Sequence, residues 1–237
     1  MDERRRLAGV CGVSLAVAPD GDRLFVGGDV PEPLVPALHQ AARTAPRAPA
    51  PDREPPALAL CRAILVPTCA PLAISASPYY LIEPPLQITA GVRIVRSDAA
   101  PEAELRRLNP GNWGPDEWDD LLDGTLGPWA MAVVDGRVVS ICHTPVPMTA
   151  RAAECGVWTH PEYRGRGYAG AVTAAWAAIL HPSGRALFYS TDSGNRASQR
   201  VAARLRLRPL GWFWRLTRAD LTPHDPRHPL SRRAPSP

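Results

Sequence analysis

The chain has 237 residues, 45% hydrophobic and 21% charged, which is room for one large or two small domains with ordinary cores. Its five cysteines are scattered and form no C-x-x-C pair, so no metal site is expected and reduced thiols in a cytoplasmic protein are the default reading. All 27 basic residues are arginine and the formal net charge is +4, an excess that is unevenly spread.

Residues 1–90 carry eight arginines against nine acids, whereas residues 160–218 carry ten arginines against Glu162 and Asp192. A basic face interleaved with aromatic platforms is not evident, so no nucleic-acid partner is expected; local polyphosphate binding fits the clustering better. The longest apolar stretch, "ALALCRAILVPTCAPLAIS", is broken by Arg62, Pro67 and Pro71 and falls short of the about 18 uninterrupted residues of a membrane span.

In chain order, "ERRR" before "LAGVCGVSLAVA", with Ala16 and Ala18 as an A-x-A end, has the outline of a short signal peptide. Two glycines and a serine weaken that run, and the turn "APDGD" between "VSLAV" and "RLFVGG" predicts a β-hairpin instead. Residues 31–56, with eight prolines, read as loop around one short helix, "LVPALHQAART". A second helix is predicted from Ala57 to Val66, ending at Pro67, and "LAISASPYYLIEPP" reads as strand and turn. From Gly91, "GVRIVRS" is a strand, "PEAELRRL" and "GPDEWDDLLDG" are short helices, and "WAMAVVDGRVVSICHT" is a hairpin around Asp135-Gly136. "AAECGVWT" is a strand. A helix from about Gly167 to Leu180 places Tyr168, Val172, Trp176 and Ile179 on one face. "RALFYST" is a strand, "SGNRASQRVAARLRL" a helix and "LGWFWRLT" a final strand; residues 221–237 are polar, rich in proline and expected to be disordered.

The segment "HPEYRGRGYAG", His160 to Gly170, contains both G-x-G-x-x-G and R-x-x-G-x-A. The first pattern belongs to dinucleotide-binding folds, whose first glycine directly follows the strand. Here His160 to Arg164 intervene, and a hairpin stands where a preceding β-α-β unit should be, although Asp192 lies about where a ribose-binding acid would. The second pattern has its own physical logic. Glycines at 165 and 167 let backbone N–H groups converge with no side chain in the way, and the following helix adds the positive end of its dipole. Arg164 and Arg166 add charge. The bland reading is a glycine turn between strand and helix.

Strand, "VWTHPEYRGRGYA" and amphipathic helix together resemble the central motif of the GNAT superfamily of acetyltransferases. "TDSGNRASQRVAARLRLRPLG" is similar to a later helix of that family, with Asn195 and Ser198 matching N-x-x-S, Ala202 in place of a frequent tyrosine, and Arg206-Leu207 in place of Gly-Phe. The resemblance covers about residues 91–218, the expected acetyltransferase domain; residues 1–90 are an N-terminal region of uncertain fold and residues 219–237 a tail. It implies an α/β (α+β) fold with a mixed, mostly antiparallel sheet flanked by helices, and transfer of an acetyl group from acetyl-CoA to a primary amine of a small molecule or peptide.

Carried over residue by residue, the resemblance assigns the pantetheine and thioester to Val157, Trp158 and Thr159. It assigns the pyrophosphate to Arg164, Gly165, Arg166, Gly167, Tyr168 and Ala169, with Asn195 and Ser198 completing the cofactor site. Glu154 is the candidate general base. The usual family position is Ala153, and one residue reverses the face of a strand unless a β-bulge restores it. His143 is the competing base, chosen for its intrinsic pKa. With the family tyrosine missing at Ala202, proton donation falls to Ser198, Tyr189 or water, which leaves a non-catalytic acyl-CoA-binding module as the alternative. Arg196, Arg200 and Arg204 recur every four residues, either as a solvated face or toward a phosphate. Asp116, Glu117, Asp119, Asp120 and Asp123 read first as a solvated helix and second as an attraction for a cationic acceptor. Trp113, Trp118 and Trp129 read as core or as the wall of an acceptor pocket.

Overall fold

The computed structural model describes residues 12–86, 91–99 and 102–219. These fall into two compact units: residues 12–79, 191–196 and 209–219 in the first, and residues 80–86, 91–99, 102–190 and 197–208 in the second. The residues of the signal-like run before Gly12, and those of the expected tail after Ala219, lie outside the described residues.

The first unit begins with the expected hairpin, β1 (Gly12–Ala18) and β2 (Gly21–Val26), in antiparallel register from Val13↔Val26 to Ala18↔Gly21. Helices α1 (Val35–Thr44) and α2 (Pro56–Cys69) both carry a proline in their first turn, where the missing N–H costs nothing. Pro67 does not end α2 as the sequence suggests. It stands in the last turn, where only one main-chain bond is lost, and the helix continues to Cys69. Strand β3 (Leu72–Ile82) follows, and β1 also pairs antiparallel with the final strand (Arg208–Arg218), from Gly12↔Thr217 to Val17↔Trp212. The core of this unit is built from Val13, Leu15, Leu38, Leu58, Leu65, Trp214 and Leu216.

The second unit carries β4 (Arg93–Arg96), the short α3 (Glu102–Leu105), α4 (Pro115–Leu122), β5 (Ala130–Val134), β6 (Arg137–His143) and β7 (Ala152–Thr159). Helix α5 (Tyr168–Leu180), β8 (Ala186–Ser190) and most of α6 (Arg196–Arg204) complete it, before β9 (Arg208–Arg218). The sheet runs β8-β7-β6-β5-β4, with β7 and β8 parallel and the remaining neighbours antiparallel. The β5–β6 turn is the expected one: Asp135 and Gly136 have φ of 47° and 70°, the two positive values of a type I′ hairpin.

The two faces of this sheet bury different partners. On one, Val172, Trp176, Ala177 and Leu180 of α5 pack on Ala130, Ala132, Val139, Cys142, Ala153 and Cys155. On the other, α4 brings Trp118, Leu121 and Leu122 onto Met131, Val133, Val138 and Ile141, together with Trp113 and Trp129. The three tryptophans are therefore core, at 6%, 2% and 0% exposure for Trp113, Trp118 and Trp129. Three of the five acids in and just after α4 have local partners: Glu117 accepts the Gly114 N–H at 2.9 Å, and Arg106 bridges Asp119 and Asp123. The chain is a mixed α/β fold, mostly antiparallel, with helices flanking the sheet.

Candidate active site

Strand β7 is held on its two edges over different lengths. Its pairing with β6 covers Gly156 to Thr159, opposite His143 to Ser140, while its pairing with β8 covers only Ala152 to Cys155, opposite Ala186 to Tyr189. The His160 N–H bonds to the Val139 carbonyl at 2.9 Å, so alternation turns the backbone groups of Trp158 toward β6 and those of Val157 and Thr159 away from it. Beyond Cys155, then, the strand offers backbone donors and acceptors along the edge that β8 has left. Thr159 shows the direction: its carbonyl accepts Arg164 Nε at 3.2 Å.

The loop that follows is ordered by its own atoms. His160 accepts the Tyr163 N–H on its carbonyl at 2.9 Å and the Glu162 N–H on Nδ1 at 3.4 Å. The Arg166 guanidinium lies 5.0 Å over the Tyr163 ring and donates to the Glu162 carbonyl at 3.3 Å. Gly165 and Gly167 have φ of 79° and 85°, which L side chains rarely adopt, and nothing lies within 4 Å of where a Cβ would stand. The first bond of α5 runs from Ala171 N–H to the Gly167 carbonyl, so the N–H groups of Tyr168, Ala169 and Gly170 precede the helix ladder, with the dipole behind them. This backbone cradle fits a pyrophosphate.

Glu154 lies on the β7 face opposite Ala153 and Cys155, both of which enter the α5 core. No register shift interrupts β7 in its pairing with β6 or β8. Its side chain thus shares a face with Gly156 and Trp158, and Oε1 accepts a short hydrogen bond from Ser190 Oγ. The parallel register Glu154↔Phe188 explains the encounter, since Ser190 is two residues beyond Phe188 on the same side. Sequence reading missed Ser190, because only the strand pairing makes it a neighbour.

His143, opposite Gly156, is 8% exposed and meets the Trp113 ring edge-on at 4.9 Å between centroids. A Cβ on Gly156 would stand 3.2 Å from His143 Nε2, so the glycine makes room for the imidazole. Burial lowers the His143 pKa to about 4, with the Thr144 backbone offsetting part of that, and the ring is neutral. Among the described residues its Nδ1 has no hydrogen-bond partner, and neither do the Trp113 Nε1 and Asn112 Oδ1 atoms.

On the β8–α6 side, the Tyr189 hydroxyl and Ser198 Oγ are 2.6 Å apart. Burial raises the Tyr189 pKa and keeps the phenol protonated, against the smaller lowering from the Ser198 bond. Ala202, one turn after Ser198, is fully buried. Cys155 is buried beside Cys142, and desolvation first, then that thiol, raises its pKa, which makes the Cys155 thiol a poor nucleophile. Asn195, like Arg196, belongs to the first unit, where its N–H bonds to the Asp192 carbonyl at 3.0 Å; the other cofactor and catalytic candidates carried over from the resemblance lie in the second. Arg200 and Arg204 are exposed on α6. Among the described residues no cluster of His, Cys, Asp and Glu has the makings of a metal site, and no helix is long and apolar enough to cross a membrane.

No curated protein matches the chain. Among solved structures, a GNAT-family acetyltransferase from Colwellia psychrerythraea superposes with a TM-score of 0.51 at 14% identity, over 87% of this chain and 81% of that one. The tandem GNAT protein of the clavulanic acid biosynthesis pathway gives 0.50 at 15% identity, over 86% and 75%. A GNAT-family protein from Novosphingobium aromaticivorans is 21% identical but gives 0.46, and the chain spans 64% of its length. At these identities the likeness is one of fold. The family itself comes from the sequence, where residues 93–208 match the profile described as the acetyltransferase (GNAT) domain. That match covers β4 to α6, the stretch that holds the open β7 edge, the glycine loop and Glu154, and over these residues the chain carries the acetyltransferase (GNAT) domain.

Proposed function

We propose that this protein is an N-acetyltransferase that takes the acetyl group of acetyl-CoA to a primary amine of a small molecule or peptide. The observation that carries the reading is the divergence of β7 from β8 after Cys155, directly ahead of a glycine loop whose N–H groups from Gly165 to Gly170 have no partner among the described residues. When bound, acetyl-CoA supplies a thioester as the acyl donor. The N–H groups of Gly165, Gly167, Tyr168 and Ala169, with Arg164 and Arg166, would hold its pyrophosphate, and Val157, Trp158 and Thr159 its pantetheine. Asn195 and Ser198 are proposed to complete that binding.

Glu154 is the proposed base, with Ser190 fixing its carboxylate to accept the proton of the attacking amine. The Tyr189–Ser198 pair holds a phenolic proton for the departing sulfur and stands in for the tyrosine that Ala202 lacks. His143 is the weaker candidate, since a pKa of about 4 makes its imidazole a poor proton acceptor near neutral pH.

The test is release of free thiol from acetyl-CoA with a panel of primary amines, di- and polyamines and peptide N-termini included. Amine-dependent turnover is expected, and Glu154→Gln lowers kcat by about 100-fold, the range of a lost general base. Tight acetyl-CoA binding without turnover on any amine would move the protein to the alternative, a non-catalytic acyl-CoA-binding module.

A further inference from the structure

Behind the glycine loop, the second unit has a cleft of about 310 Å³ lined by Arg107, Arg137, His160 and Tyr163, with Leu108 and Val138 among its apolar walls. That is the small end of the usual size range for ligand pockets, about 300–1,000 Å³. We propose that this cleft is a second anion site, taking the phosphate group of a small organic phosphate monoester, separate from the backbone cradle at α5. The inference does not depend on acetyl transfer.

Charge is the first argument. Among the described residues no carboxylate lines the cleft. Nearby arginines of the same unit have acidic partners: Arg93 has Glu104 at 3.3 Å, Arg96 has Asp98 at 2.5 Å and Arg106 has Asp119 at 2.6 Å. Arg107 and Arg137 have neither an ion pair nor a hydrogen bond among the described residues, so both guanidinium groups keep their full donor sets for a ligand. An arginine fork matches phosphate oxygens bidentately.

The histidine supplies the second argument. Its Nδ1 accepts the Glu162 N–H at 3.4 Å, which leaves the ring proton on Nε2 as a donor. Edge-on contacts with Trp158 at 6.0 Å and Tyr163 at 5.6 Å fix the ring plane. Asn109 also lines the cleft, but its amide is occupied by the Trp113 carbonyl and the Gly111 N–H, so the polar work falls to the three cationic or donor side chains. The apolar walls favour an organic phosphate over the bare ion.

The probe is phenyl phosphate, read by proton–nitrogen correlation spectra of the full chain in about 0.1 M salt, where diffuse attraction is largely screened. Saturable shifts of the Arg107 and Arg137 Nε–H and the His160 ring signals are expected, with inorganic phosphate weaker on the same signals. Arg107→Gln with Arg137→Gln weakens phenyl phosphate by about tenfold or more, as loss of charge-assisted bonds requires, whereas Arg93→Gln leaves it unchanged. Shifts confined to Gly165–Gly170 and insensitive to the double variant would overturn the site, as would shifts that never saturate. So would a double variant that binds CoA more weakly but dephospho-CoA normally, because the cleft would then belong to the cofactor's 3′-phosphate. Unfolding midpoints matching the wild type, expected for two exposed arginines, tie each result to binding.

Discussion

His143 carries a neutral imidazole at 8% exposure, and that makes a pH effect on stability calculable at a single residue. Its folded pKa is about 4 against 6.5 for the free side chain. Above 6.5 both folded and unfolded states are neutral and the histidine costs nothing. Between 6.5 and about 4 the unfolded chain takes up a proton that the folded chain refuses, so stability falls as the pH falls. The loss over that window reaches up to about 3 kcal/mol, from about 1.4 kcal/mol per unit of pKa difference. Urea unfolding at neutral pH and near pH 4 measures it. His143→Phe removes this part of the slope; an unchanged slope in the variant would show that other groups carry it. The same burial demotes His143 as a base, a conclusion hidden from the sequence, where only its intrinsic pKa was visible and Trp113 lay thirty positions away in the chain.

At the scale of elements, α6 ends in a way the sequence half discloses. Arg206 N–H bonds to the Ala203 carbonyl and Leu207 N–H to the Ala202 carbonyl, the closing bonds of a helix with a left-handed residue after it. Arg206 is that residue, at φ 53°, where the family resemblance has glycine. Arg206→Gly is therefore expected to raise stability by about 1 kcal/mol, the cost of a side chain in the left-handed region less the entropy of the added glycine. Chemical denaturation checks it, and a loss of stability would contradict the strain. Local signals of this kind were legible throughout: the Asp135-Gly136 turn, the α5 periodicity, the glycine loop and the first hairpin all stand where the sequence puts them. Non-local pairing was not. Nothing in Gly12–Val17 names Trp212–Thr217 as its neighbour, and Glu154 meets Ser190 only because β7 and β8 run parallel. The face of Glu154 likewise rested on whether a bulge existed, which only the register decides.

For the whole molecule, the proposed function requires that the α5 cradle and the open β7 edge bind an acyl-CoA. Thermal unfolding of the full chain with acetyl-CoA, CoA and NAD tests it most directly. Acetyl-CoA at about 100 times its dissociation constant should add about 2.7 kcal/mol to the folded state and raise the midpoint accordingly. Gly167→Glu, which forces a side chain and a negative charge into the cradle, should abolish the shift while the unliganded variant still unfolds cooperatively. A shift with acetyl-CoA that Gly167→Glu removes is the predicted result; a shift with NAD alone, or none with either form of CoA, would contradict it.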